Sequence, residues 1–201
     1  MTVDTTHLLY LHGFRSSPQS AKARTTAAWL QRHRPDVTWW CPQLPASPRE
    51  AMQMLFERLA GWPAAQTGLV GSSLGGFYAT ALAERLGCRA VLLNPAIEPA
   101  RDLAQHVGET TAWHNDERFF FRAEFIDELR AIRPDEVTHL ERYFAVIAQG
   151  DEVLSWVEMS ERYRGCKVKL LEGGDHALSD FEDHLPEVMS FLGLRRRPTS
   201  G

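Results

Sequence analysis

No stretch of the chain is long and apolar enough to cross a bilayer as a helix, which takes about 20 apolar residues in succession. Nor does the N-terminus carry a basic segment followed by an apolar run. Both absences point to a cytoplasmic protein without a membrane partner. Cysteine is scarce: Cys41, Cys88 and Cys166 are isolated and odd in number. They form neither a disulfide framework nor a zinc spacing, and Cys88 and Cys166 read as small buried hydrophobes rather than nucleophiles. A charge excess is missing too. With 22 Lys and Arg against 26 Asp and Glu, the net charge of −4 excludes the basic footprint of a nucleic-acid binder. The one basic cluster, Arg195-Arg196-Arg197, lies near the C-terminus and reads as a flexible, solvated tail over 195–201. Internal repeats and low-complexity segments are absent, so one domain over 1–194 is the economical organisation.

What is present is an alternation of short apolar runs with helical segments, the mark of a parallel sheet covered by helices on both faces. The runs are His7–Leu11, Val37–Trp40, Gly68–Val70, Ala90–Leu93, Tyr143–Ala148 and Val168–Leu171. None alternates strictly, as expected of strands buried on both sides. Ser17-Pro18 predicts a helix start, with the helix running to about His33. Ser47-Pro48-Arg49-Glu50, Ser155–Glu158 and Ser179–Glu182 share the S-x-x-E spacing of a capping box. Gly87 and Gly193 stand where helix ends favour a left-handed residue. His184 is placed inside the last helix as a surface residue. Between about Glu98 and Leu140 no strand is evident, and aromatic residues gather: Trp113, Phe119, Phe120, Phe121 and Phe125. Phe121, Phe125, Leu129 and Ile132 have helical spacing. Two readings stand for this insert, a helix packed on the sheet or a small helical lid whose aromatics line an acyl pocket.

The chemistry is carried by Gly71-Ser72-Ser73-Leu74-Gly75, a G-x-S-x-G pattern preceded by an apolar run and followed by helix formers. In a nucleophile elbow the serine sits on a sharp strand-to-helix turn, and small residues are required on either side. Moving the frame to Ser72 would need glycine at positions 70 and 74, which are Val70 and Leu74, so Ser73 is the nucleophile. A serine hydroxyl is weak at neutral pH and needs a base, itself oriented by an acid. In this architecture their chain order is serine, acid, histidine. Asp151 follows the run Tyr143–Ala148 and is the expected acid, with Glu152 the neighbouring alternative. His176 follows the last run and is the expected base, while Asp175 beside it caps the turn. Backbone N–H groups must also meet the charge that develops on the carbonyl oxygen. One is that of Leu74. The other comes from the loop after the first strand, His12-Gly13-Phe14-Arg15, where Phe14 is the candidate. His12, Arg15 and Phe121 are candidate substrate contacts. His12 also reads as a peg that fixes its loop, and Arg15 either meets an anionic substrate group or is simply exposed.

The stretches Leu9-Tyr10-Leu11-His12-Gly13-Phe14, Ser20-Ala21-Lys22-Ala23, Gly71-Ser72-Ser73-Leu74-Gly75-Gly76-Phe77-Tyr78-Ala79, Leu93-Asn94-Pro95-Ala96, Gly150-Asp151-Glu152-Val153-Leu154 and Gly173-Gly174-Asp175-His176 resemble the YqiA/YcfP-type bacterial esterases, in order, over about residues 8 to 194. The resemblance implies an α/β-hydrolase fold and carboxylesterase activity on acyl esters or thioesters. Carried over residue by residue, it implies the same set, Ser73, Asp151 and His176. The segment Thr110–Phe121 and the Arg195–Arg197 tail lie outside the pattern.

The expected protein is therefore a serine hydrolase of small or short-chain acyl esters that needs no cofactor or metal and has a small-molecule acyl ester as its partner. An acyltransferase or thioesterase would use the same residues. A non-catalytic binding protein on this scaffold would be expected to lack one of them. A dinucleotide-binding protein is excluded because the first strand is not followed by G-x-G-x-x-G.

Overall fold

A computed structural model describes residues 4–111 and 118–196. Trp113 and His114, and the residues of the expected tail from 197 onward, lie outside them.

Six strands form one parallel sheet: β1 (His7–Leu11), β2 (Thr38–Trp40), β3 (Thr67–Ser72), β4 (Arg89–Leu93), β7 (Tyr143–Ala148) and β8 (Lys167–Leu171). Their order is β2-β1-β3-β4-β7-β8, so the chain starts near one edge and winds in both directions. β1 and β7 span the residues read from the apolar runs, and the other strands differ by one or two residues at their ends. Between the strands lie helices α1 (Ala21–His33), α2 (Pro48–Leu59), α3 (Leu74–Leu86), α4 (Pro99–Asp102), α5 (Glu124–Ile132) and α6 (Trp156–Arg162), and α7 (Phe181–Phe191) follows β8.

Each inner strand feeds two cores, because successive side chains point to opposite faces. Leu8, Tyr10, Val70, Val91, Phe144 and Val146 pack with α1 and α7. Leu9, Leu11, Leu69, Leu92, Ala145 and Ile147 pack with α2, α3, α5 and α6. Burial on both faces holds for β1, β3, β4 and β7 but not for the edges. On β8, Val168 and Leu170 are exposed, and Lys167 and Lys169 pair with Glu187 at 2.8 and 3.0 Å. Edge lysines of this kind deter pairing with a further strand.

Ser47 and Ser155 cap α2 and α6 as their spacing predicts, accepting from the N–H groups of Glu50 and Glu158. Gly87 ends α3 at φ +78°. Four readings are corrected. The first helix starts at Ala21, because Ser17 closes turns of its own, accepting from Gln19 N–H at its hydroxyl and from Ser20 N–H at its carbonyl. Ser179 caps no helix: its hydroxyl donates to Asp175, and α7 begins two residues later. His184 is buried, with Nε2 3.1 Å from an Asp180 carboxylate oxygen. Finally, the insert does hold strands. β5 (Gly108–Thr111) and β6 (Arg118–Phe121) pair antiparallel, so Phe121 sits on a strand and only Phe125, Leu129 and Ile132 share α5. Each strand is four residues long, too short for a period-2 pattern to stand out against the helical spacing around it.

α3 approaches the sheet more closely than a side chain would permit. A methyl group on Gly75 would lie 2.0 Å from the carbonyl oxygen of Leu11, and one on Gly71 would lie 2.3 Å from the carbonyl oxygen of Gly75. Gly61 has nothing within 4 Å and no positive φ. Gly75→Ala is therefore expected to cost more than the ~1–3 kcal/mol of an ordinary overpacked core, whereas Gly61→Ala should be neutral or stabilise by up to ~1 kcal/mol. Thermal and urea unfolding of the two variants would check this. Equal stability of both would refute the close approach.

Candidate active site

The close approach of α3 dictates the geometry of the turn before it. Ser73 joins β3 to α3 at φ +55°, ψ −120°, a backbone conformation that a residue with a Cβ occupies only under constraint. The constraint comes from β4 and the loop after it. Ser73 N–H donates to Leu93 O and Ser73 O accepts from Ala96 N–H, both at 3.0 Å. The hydroxyl is thereby lifted off the end of the sheet.

Asp151 stands three residues past the end of β7. One carboxylate oxygen accepts from the N–H groups of Val153 and Leu154, each at 2.8 Å. The other lies 2.8 Å from His176 Nδ1, and the side chain is fully buried. Because a carboxylate only accepts, Nδ1 carries the proton and Nε2 is left with a lone pair. Nε2 is 3.1 Å from Ser73 Oγ. Sequence order thus becomes one hydrogen-bonded chain, from serine to histidine to aspartate. Glu152, the alternative acid, faces the same histidine differently, taking its backbone N–H at 3.0 Å. Asp175 closes the turn as expected. It accepts from the hydroxyl and N–H of Ser179, and these two bonds hold its carboxyl below the usual carboxylate range.

The loop after β1 lies over the serine. A methyl group on Gly13 would be 3.2 Å from Ser73 Cβ and 3.6 Å from Ser73 Oγ, so Gly13 passes beside the hydroxyl, with Phe14 the next residue along the loop. Leu74 opens α3, and its N–H belongs to a helix's first turn, where no intrahelical acceptor exists. His12 is buried with both ring nitrogens engaged: Nε2 accepts from Leu44 N–H at 3.2 Å, so Nδ1 donates to Gly13 O at 3.0 Å. It pegs its own loop to the one after β2. Arg15 follows at φ +59° and is half-buried.

A cavity of about 540 Å³ adjoins this end of the sheet. Gly13, Phe14 and Leu74 are among its walls, together with Tyr78, Leu103, Phe121 and Leu129. Arg15, Gln19 and Gln43 add polar groups, and His12 contributes to the wall. The rings of Phe14 and Phe121 meet edge to face at 5.2 Å, and Phe121 meets Phe125 the same way at 5.4 Å. The insert is thus tied to the loop over the serine through three aromatic residues. Glu128 of α5 fixes it at another point, accepting from Ser47 Oγ at 2.7 Å and pairing with Arg49 at 2.8 Å.

Lys22 near the start of α1 was given no role by the sequence. Its ammonium donates to Ala177 O, the residue after the histidine, and desolvation there pulls its pKa down to about 8 against the pull of Asp175 and Asp151. Only its place in a short motif at the start of a helix marked it. The cysteines take no part: burial pushes the Cys41 thiol up to about 12 and the Cys88 and Cys166 thiols up to about 11, so none is a thiolate at neutral pH. Among the described residues, no three His, Cys, Asp or Glu gather so as to hold a metal ion, and no helix is long and apolar enough to cross a membrane.

Residues 7–193 match the model of one family, described as "Uncharacterised protein family (UPF0227)". Solved structures share the architecture. α/β-hydrolase domain-containing protein 10 from mouse is 16% identical with a TM-score of 0.69, over 96% of this chain and 92% of its own. Est1E from Butyrivibrio proteoclasticus, a structure with bound ferulic acid, is 16% identical with a TM-score of 0.65, over 94% and 88%. The carboxylesterase CesB from Bacillus subtilis is 19% identical with a TM-score of 0.58, over 94% and 84%. At such identities the likeness establishes the fold, which is that of the α/β hydrolases.

Proposed function

The chain belongs to the YqiA/YcfP family, UPF0227, and from that premise we propose that it is a serine hydrolase cleaving carboxylic esters or thioesters of small or short-chain acyl groups. One observation carries the reading. A serine held at positive φ lies 3.1 Å from a histidine whose other nitrogen lies 2.8 Å from a buried carboxylate.

Ser73 Oγ attacks the acyl carbonyl carbon while His176 Nε2 takes its proton. Asp151 keeps Nδ1 protonated and stabilises the imidazolium. The negative charge on the carbonyl oxygen is met by the N–H groups of Phe14 and Leu74, which need no reorganisation as the charge develops. Collapse of the tetrahedral species expels the alcohol or thiol, protonated by His176, and leaves the acyl group on Ser73. Water then enters, gives a proton to His176 and releases the acid by the same steps in reverse. The histidine side chain keeps 21% of its surface exposed, so water can reach it for the second half of the reaction. The insert acts as a lid, with Phe121 and Leu129 walling an acyl pocket.

Ser73→Ala and His176→Ala are each expected to lower kcat by about a millionfold, and Asp151→Asn by about ten-thousandfold. Glu152→Gln should be far milder, since its amide oxygen still accepts from His176 N–H. Steady-state assays on acyl esters check the series. Parent-like activity in Ser73→Ala would refute the nucleophile, and a larger loss in Glu152→Gln than in Asp151→Asn would move the acid by one residue. Chain length offers a second check. Each methylene buried in the pocket should raise kcat/KM by up to about fourfold, at ~0.8 kcal/mol per CH₂, until Phe121 and Leu129 are reached. A rate that climbs on through long fatty acyl esters would contradict the short-chain pocket.

A further inference from the structure

Asn94 is the first residue after β4, and nothing of it is exposed. Its backbone turns left-handed at φ +41°, which Asn tolerates better than most residues. Its N–H still donates to Val146 O on β7 at 3.0 Å. The side chain then uses every group that it has in three directions. Oδ1 accepts from Ala148 N–H at 2.8 Å, and Nδ2 donates to Asp175 O at 3.0 Å and to His176 O at 3.2 Å. A carboxamide has one oxygen and two N–H donors, and all three are matched here.

The residues on either side of Asn94 hold the nucleophile. Leu93 O accepts from Ser73 N–H and Ala96 N–H donates to Ser73 O, as described above. Residues 93–96 therefore grip both peptide groups of the serine, the last residue of the strand that leads to Asp151, and two consecutive carbonyls of the histidine loop. We infer that Asn94 is a positioning residue for the base: its carboxamide ties the His176 backbone to the same short segment that fixes Ser73, and so sets the serine–histidine distance. The inference rests on the hydrolase reading. Asn94 touches no reacting atom and acts through His176. Lys22 and Glu152 hold the same loop from other sides, at Ala177 O and His176 N–H, but neither connects it to the serine.

Two variants separate positioning from simple stabilisation. Asn94→Asp keeps the shape and the acceptor for Ala148 N–H, but sets an oxygen against two carbonyls. Asn94→Gly keeps the left-handed turn and removes the side chain. Tyr163→Phe, which deletes a buried 2.8 Å contact with Thr80 away from the site, serves as the control for a lost internal hydrogen bond. Each is assayed well below its melting temperature. Both Asn94 variants should lose about 10–100-fold in kcat, the scale expected of a base displaced by about an ångström, with KM within about threefold. The control should melt lower with kcat unchanged. A readout independent of turnover is the low-field proton resonance of the His176 Nδ1–H···Asp151 hydrogen bond, which should be present in the parent and shifted or lost in Asn94→Gly. Parent-like kcat in both folded Asn94 variants, or an unshifted resonance in Asn94→Gly, would overturn the inference. A parent that has the resonance but hydrolyses no ester would defeat the hydrolase reading instead, leaving the resonance to decide on Asn94.

Discussion

The carbonyl of Leu11 sits where a side chain on residue 75 would have to be, and this contact governs the site. It lets the N-terminus of α3 come down onto the ends of β1 and β3, which forces the chain to turn within one residue. That residue is Ser73. A non-glycine residue held at positive φ costs ~1–3 kcal/mol, offset here by hydrogen bonds to both of its peptide groups from the end of β4 and the loop after it. The same descent puts Leu74 in the first turn of α3, directly after the serine, while Gly13 crosses close enough that a methyl group on it would lie 3.6 Å from Ser73 Oγ. The positive-φ turn at Ser73 and the first-turn position of Leu74 are thus consequences of one close contact.

The other two members reach the site by a different principle. In an open parallel sheet, the loops at the carboxyl ends of neighbouring strands share one edge. Asp151 and His176 follow β7 and β8, adjacent strands, and the serine lies two strands from the first of these. The strand between, β4, ends at Leu93 and is followed by Asn94 and Ala96, and these three residues join the two halves. In the proposed reaction a rigid connection matters, because proton transfer between Ser73 and His176 would depend steeply on distance and alignment.

Much of this was legible in the sequence because the relevant constraints are local. Glycines at 71 and 75 around a serine, between an apolar run and a helix, specify the elbow without reference to the rest of the chain. Asp151 and His176 could be placed because each follows a strand directly. What was not legible depends on contacts between distant segments. The antiparallel pair of β5 and β6 lacks a sequence pattern of its own, and the spacing of Phe121 with Phe125, Leu129 and Ile132 imitates a helix. Ser179 has the spacing of a cap, but Asp175 claims its hydroxyl. His184 looked like a surface residue because the packing of α7 on the sheet is not written in its neighbours. Asn94 lies in the stretch Leu93-Asn94-Pro95-Ala96, but its partners at 148, 175 and 176 are met only when the strand ends come together.

Whether Ser73 is an activated nucleophile is read out by intact-mass measurement after treatment with a fluorophosphonate, on the parent and on Ser73→Ala together. A single adduct on the parent and none on the variant is expected. Equal labelling of both proteins, or no adduct on a folded parent, would contradict it.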